Sequence, residues 1–271
     1  MGHPRTSRSS LFIPAAALTV AVAGVLLTTA HATDGALNTR PRLLIGVDDD
    51  KLENTALQAG AVTNQSLNRT DILIGGAGND VMFGLNGNDV MEGRGGRDII
   101  LGGPDGSVPP GGPPNSDIMF GGSGNDVNLW APGDGSEVFI GGSGSRDALV
   151  FGATDRELIA DPLTGVKLPT LLAGVSGFPK GIPTADVSGV TSFCTVEVSP
   201  LPEYEFLVRF LGVAGNLIVT VRVSGVEQVF CSGQGGGAIT FADLTAPFPS
   251  FVIVSHQEVT QLNFLVGKMI R

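Results

Sequence analysis

Between Asp71 and Phe151 short apolar runs return at a fixed spacing, each preceded by a polar, glycine-rich stretch: GGAGNDVMF, GLNGNDVME, GRGGRDIIL. The beat is nine residues, with two or three glycines, an Asp at the sixth place, and three mostly apolar residues after it. A short fixed period is the mark of a stacked repeat. The glycine-rich half favours a tight turn with positive φ at several points. A triplet such as Val81-Met82-Phe83 is enough for one short strand. One nonamer therefore predicts a turn plus a strand, and two nonamers one coil of a parallel β-roll. Turns 18 residues apart then stack on the same edge.

This stacking sorts the acids. Asp80, Asp98, Asp126 and Asp147 fall on one edge, and Asp71, Asp89, Asp117 and Glu137 on the other. Glycine-rich turns point carbonyl oxygens into the gap between coils, and each acid adds a carboxylate. Calcium takes about six to eight oxygens at flexible geometry and suits such a set. Magnesium prefers ordered water, and zinc would want His or Cys, neither of which lies in this stretch.

The pattern resembles the haemolysin-type (RTX) calcium-binding nonapeptide repeat, G-G-x-G-x-D-x-U-x. Gly75-Gly76-Ala77-Gly78-Asn79-Asp80 and Gly121-Gly122-Ser123-Gly124-Asn125-Asp126 fit it fully. The resemblance implies a roll that binds Ca2+ through its turns and folds when it does so. The residues expected at the metal are Gly76, Gly78, Asp80, Asp89, Gly96, Asp98, Asp117, Gly122, Gly124, Asp126 and Asp147. It also places Met82, Met91, Ile100, Met119, Phe139 and Leu149 at the inward position, filling a thin core between two sheets. Asn128 breaks that rule, so a register slip around Leu129 and Trp130 is expected. Trp130, the only tryptophan, reads as packing or a local lid, with a ligand platform as the other reading.

Departures from the pattern make the ladder lopsided. Asn68 to Ile74 is a worn first repeat that keeps its Asp and apolar triplet without the glycines. The turn from Gly102 to Asp117 holds about ten extra residues, with Pro109, Pro110, Pro113 and Pro114, and must loop out. Glu137 replaces Asp, and Arg94 and Arg97 place two cations beside the Asp98 turn. The Gly141 to Asp147 turn has one residue too many. Two or three good sites are expected, centred on the turns ending at Asp80, Asp98 and Asp126.

The flanks read differently. Residues 1–32 look like a signal peptide: Arg5 and Arg8, an uncharged apolar run from Leu11 to Leu27, then Ala30-His31-Ala32 as a small-x-small cleavage site. A retained anchor is the alternative. Cleavage after Ala32 leaves 239 of the 271 residues, and loss of two Arg and no acid takes the net charge from −10 to −12. Residues 33–68 are expected to cap the roll, because an open coil end exposes strand edges. Arg42 to Val47 is a candidate strand, and Asp48-Asp49-Asp50 reads as a solvated turn or helix start rather than an extra calcium loop. Residues 152–190 read as a packed connector with a strand near Arg156 to Leu158.

Residues 191–271 show strand alternation at Thr195–Val198, Glu205–Phe210, Leu217–Val223, Val226–Phe230, Ile239–Phe241 and Phe251–Val254. Ser255-His256-Gln257-Glu258 is a capping box, and Val259, Leu262, Leu265, Val266 and Met269 recur at helical spacing. The fold class expected is mainly β: a parallel β-roll, residues 69–151, followed by a small antiparallel β domain with a C-terminal helix. Cys194 and Cys231, the only cysteines, read as a disulfide in an exported chain.

Acidity argues against nucleic acid and against anionic membrane. After signal removal no run is long and apolar enough to span a bilayer. The mature chain keeps one histidine, His256, in the capping turn, so a Ser-His-Asp site has little to draw on. There is no His-Glu-x-x-His, phosphate loop or dinucleotide fingerprint. The leading expectation is a secreted calcium-binding scaffold, structural or adhesive, whose C-terminal part meets a cell-surface or matrix glycan or protein. The alternatives are an extracellular hydrolase or carbohydrate-active enzyme supported by the roll and, less well supported, a cytolysin.

Overall fold

A computed structural model describes residues 43–45, 72–84, 88–103, 116–154, 158–160, 167–169 and 185–270. The roll strands are β1 (Leu43–Ile45), β2 (Ile72–Ile74), β3 (Val81–Phe83), β4 (Val90–Gly96), β5 (Ile99–Leu101), β6 (Ile118–Gly124), β7 (Val127–Trp130), β8 (Val138–Ser143) and β9 (Ala148–Phe151). Odd strands lie in one sheet and even strands in the other, every pair parallel. The nonamer beat predicts this alternation. β1 extends the odd sheet by pairing parallel with β3, so Leu43–Ile45, within the expected cap, is a strand.

The strands that follow the connector continue both sheets. β14 (Phe193–Val198), β15 (Phe206–Leu211) and β16 (Leu217–Ser224) are antiparallel to one another, and β16 pairs parallel with β8. β17 (Gln228–Ser232), β18 (Ile239–Asp243) and β19 (Val252–Val254) are likewise antiparallel, and β17 pairs parallel with β9. The result is a seven-stranded sheet facing an eight-stranded one. In the connector, β10 (Ala153–Thr154) pairs with β13 (Ala185–Asp186), and β11 (Leu158–Ala160) with β12 (Lys167–Pro169).

The middle residue of each triplet points between the sheets. Met82, Met91, Ile100, Met119, Phe139 and Leu149 are all fully buried in one cluster, which Val208, Val221 and Val223 of the C-terminal strands continue. Each such side chain contributes roughly 1.5–3 kcal/mol when removed from water. Trp130 belongs to this core. Its ring lies 5.1 Å from Phe151 and 4.7 Å from Phe210, and its Nε1 donates to Gly135 O at 3.0 Å, so its role is packing.

The flanking residues of the odd-sheet triplets, among them Val81, Ile99, Val127 and Val150, face the other way into a second cluster. α1 (His256–Leu262) and α2 (Phe264–Met269) cover it with Val259, Leu265, Val266 and Met269. The even sheet's outer face keeps Ile118 and Phe120 exposed.

One expectation needs correction. The register does not slip at Asn128. It pairs with Ile100 and Leu149 in the inward column, fully buried, and its Nδ2 donates to Met119 Sδ at 3.3 Å and Glu137 Oε2 at 3.2 Å. A polar side chain holds an apolar position because another departure, Glu137, meets it there. The C-terminal helical segment forms as expected and is broken at Asn263 into two helices. The capping box forms, but Asn263 adopts an extended conformation and its side chain accepts from Leu265 and Val266 N–H, capping a new helix. Asp71, Asp48–Asp50, the proline-rich insertion and residues 1–32 lie outside the described residues.

Candidate metal centre

Four of the predicted acids form a hydrogen-bonded column along one edge. Asp80 N donates to Asp98 Oδ1 at 2.7 Å, Asp98 N to Asp126 Oδ1 at 2.8 Å, and Asp126 N to Asp147 Oδ1 at 2.7 Å. One oxygen of Asp98, of Asp126 and of Asp147 is thus tied to the turn before it. Asp98, Asp126 and Asp147 are fully buried, and their Oδ2 atoms have no hydrogen-bond partner. A buried carboxylate oxygen without a donor is costly. Repeated turn after turn, such oxygens suit a hard cation.

The surroundings of these oxygens fit such a cation. A Cβ built on Gly75 would lie 2.5 Å from both Asp80 Oδ2 and Gly93 O, and one on Gly121 would lie 2.5 Å from Asp126 Oδ2 and 2.6 Å from Gly141 O. Gly93 has Asp98 Oδ2 and Gly121 O in the same relation. A carboxylate oxygen and a carbonyl from the next coil therefore converge over each first glycine, leaving no space for a side chain. Among the described residues no three His, Cys, Asp or Glu side chains converge on one point, so carbonyls must complete any oxygen shell.

The predicted glycines divide by role. Gly78, Gly96 and Gly124 form one column in which each carbonyl faces the Cα of the next glycine; Gly96 and Gly124 have φ of 114° and 132°. Gly122, at φ 106°, packs against Arg94 O and directs its own carbonyl to Gly142. Gly76 donates its N–H to Asp80 Oδ2 at 2.6 Å and accepts from Gly95 N at 3.0 Å. Arg94 holds the left-handed place of a glycine at φ 74°, the one described non-glycine to do so. Its side chain and that of Arg97 are exposed, and Arg94 pairs with Glu92 at 3.8 Å, so neither cation enters the carboxylate column.

The other edge keeps its stacking despite the insertion. Asp89 N donates to Asp117 Oδ1 at 2.7 Å, and Asp117 Oδ2 and Glu137 Oε1 both crowd Gly102. Glu137 gives its second oxygen to Asn128. Sequence reasoning missed the Asn preceding Asp80, Asp89 and Asp126. Asn79, Asn88 and Asn125 accept through Oδ1 from Arg97, Ser116 and Ser145 N–H in the next coil. The recurring Asn-Asp pair carried that signal. His256 is exposed in the first turn of α1, outside either edge.

Burial sets the electrostatics. It pushes the Asp98 carboxyl up to about 8, opposed by the Asp80 N–H bond and reinforced by the neighbouring charges of Asp126 and Asp80. Burial likewise raises Asp126 to about 6 and Asp147 to about 7, each partly offset by a backbone hydrogen bond. Ionising these carboxyls is therefore costly within the fold, and a hard cation among them would offset that cost.

A family model described as the RTX calcium-binding nonapeptide repeat matches the chain in four copies, over residues 67–103 and 115–127. No curated protein and no solved structure matches the chain significantly. Over those stretches the chain carries RTX calcium-binding nonapeptide repeats, and such repeats bind Ca2+.

Proposed function

We propose that this is an exported protein whose repeats are ordered by calcium into an extracellular structural or adhesive scaffold. The observation that carries it is the buried column of Asp98, Asp126 and Asp147, each with one oxygen in a hydrogen bond and the other facing a carbonyl-lined turn. The ligands are Asp80, Asp98, Asp126 and Asp147 on one edge and Asp89 and Asp117 on the other, with turn carbonyls. Low calcium inside the cell leaves the acids repelling one another, and high calcium outside orders them, since metal binding to the folded state adds folding free energy.

The described acids line two edges rather than one cleft, which supports a scaffold over the hydrolase reading. Cys194 and Cys231 stand at disulfide distance with Cα atoms 6.0 Å apart, as an oxidising setting favours. Among the described residues no helix is long and apolar enough to cross a membrane. The test is recovery of the protein from culture medium and determination of its N-terminus. A start at Thr33 supports the reading, and intact chain retained in the cell contradicts export.

A further inference from the structure

The acidic column does not end with the last repeat. Above Gly75, Gly93 and Gly121 an Asp Oδ2 of the same turn meets a glycine carbonyl of the next coil. Above Gly141 the same arrangement returns, with Asp147 Oδ2 at 2.9 Å and a carbonyl from far along the chain, Gly225 O. Asp147 N donates to Glu227 Oε2 at 2.8 Å, as Asp126 N donates to Asp147. Asp147 O accepts in turn from Glu227 N and Gln228 N, both at 3.0 Å.

The three-residue link between β16 and β17, Gly225-Val226-Glu227, thus stands where a repeat turn would. Gly225 takes the left-handed conformation, φ 59°, and its N–H is held by Glu205 Oε2 at 2.9 Å. Asp147 is fully buried, and its Oδ2 has no hydrogen-bond partner. A buried carboxylate oxygen and a glycine carbonyl meet above Gly141, and a second carboxylate, that of Glu227, is held beside them by Asp147 N–H. That is a set for a hard divalent cation.

We propose that Gly225 and Glu227 complete a calcium site with Gly141 and Asp147, so that calcium locks the C-terminal strands onto the end of the roll. The proposal rests on the reading of the roll as calcium-ordered, and it adds a ligand outside the matched repeats. Metal occupancy and docking of β17 are then one event: the link that supplies Glu227 also starts the strand that pairs with β9.

The test uses the full exported chain and its Glu227→Gln variant, which keeps an acceptor for Asp147 N–H and loses only the charge. Calcium stoichiometry is read by native mass spectrometry and affinity by titration calorimetry, with amide hydrogen exchange in calcium and in chelator. The variant is expected to bind one calcium fewer, or one at least about tenfold more weakly. Its Glu227 and Gln228 amides should lose calcium-dependent protection while those of Asp80 and Asp98 keep it. Unchanged number and affinity in the variant overturn the proposal and leave the scaffold reading standing. A wild-type chain that takes up no calcium overturns both. If the variant does not fold, exchange in the wild type decides, because equal protection of Glu227 and Gln228 in calcium and chelator overturns the lock.

Discussion

Asp98→Asn is expected to change stability in opposite directions with and without calcium. In chelator above pH 8 the variant should be more stable than wild type by on the order of 1–3 kcal/mol, because a buried charge is gone. Asn Oδ1 still accepts the Asp80 N–H bond that Asp98 accepts now. In calcium the order reverses: one anionic ligand is lost, and the calcium midpoint should rise on the order of tenfold or more.

The pH dependence follows from the same residues. An unfolded Asp titrates near about 3.9. The folded values are raised to about 8 at Asp98, about 7 at Asp147 and about 6 at Asp126, so the calcium-free fold binds more protons than the unfolded chain between those limits. This contribution is fully present below about pH 4 and is lost as pH rises through 6 to 8. Calcium competes with those protons, so its apparent affinity should climb over the same window with proton release. Urea unfolding from pH 5 to 9, with and without calcium, reads both effects. A calcium-free stability that rises with pH, or no reversal in the variant, contradicts this assignment.

Replacing Cys194 and Cys231 together by Ala is expected to lower stability by roughly 3–4 kcal/mol, in the chain-entropy account of a loop this long. The two residues are 37 apart in sequence and lie in β14 and β17, which belong to opposite sheets. The bond therefore ties the sheets together in the part of the chain where no acidic column does so. For a chain of this size the loss corresponds to on the order of 10 °C in Tm. It should appear in calcium and in chelator alike, since neither cysteine touches the acids. An unchanged Tm would mean that packing of Phe210, Trp130 and Phe151 alone holds the sheets.

Much of the roll was legible because its signal is local and periodic. The nine-residue beat sorts Asp80, Asp98, Asp126 and Asp147 onto one edge, and the structure links those four in that order. The resemblance to the RTX repeat also implied Met82, Met91 and Met119 at the inward position, and all three lie in the core. What escaped is pairwise and non-local. Asn128 and Glu137 look like two separate defects until the fold brings Nδ2 to Oε2. Glu227 follows no glycine triplet, so nothing in its neighbourhood marks it as continuing a column 80 residues away. The break at Asn263 was hidden because apolar spacing runs through it, and only the side chain's cap on Leu265 and Val266 reveals it.

The most direct measurement is a calcium titration of the full chain at fixed ionic strength, followed by far-ultraviolet circular dichroism and reversed with chelator. A β signal that rises with calcium, falls on chelation and falls more readily at pH 8 than at pH 5 is the expected result. A roll fully formed and equally stable without calcium at pH 8 would contradict the claim that calcium orders it.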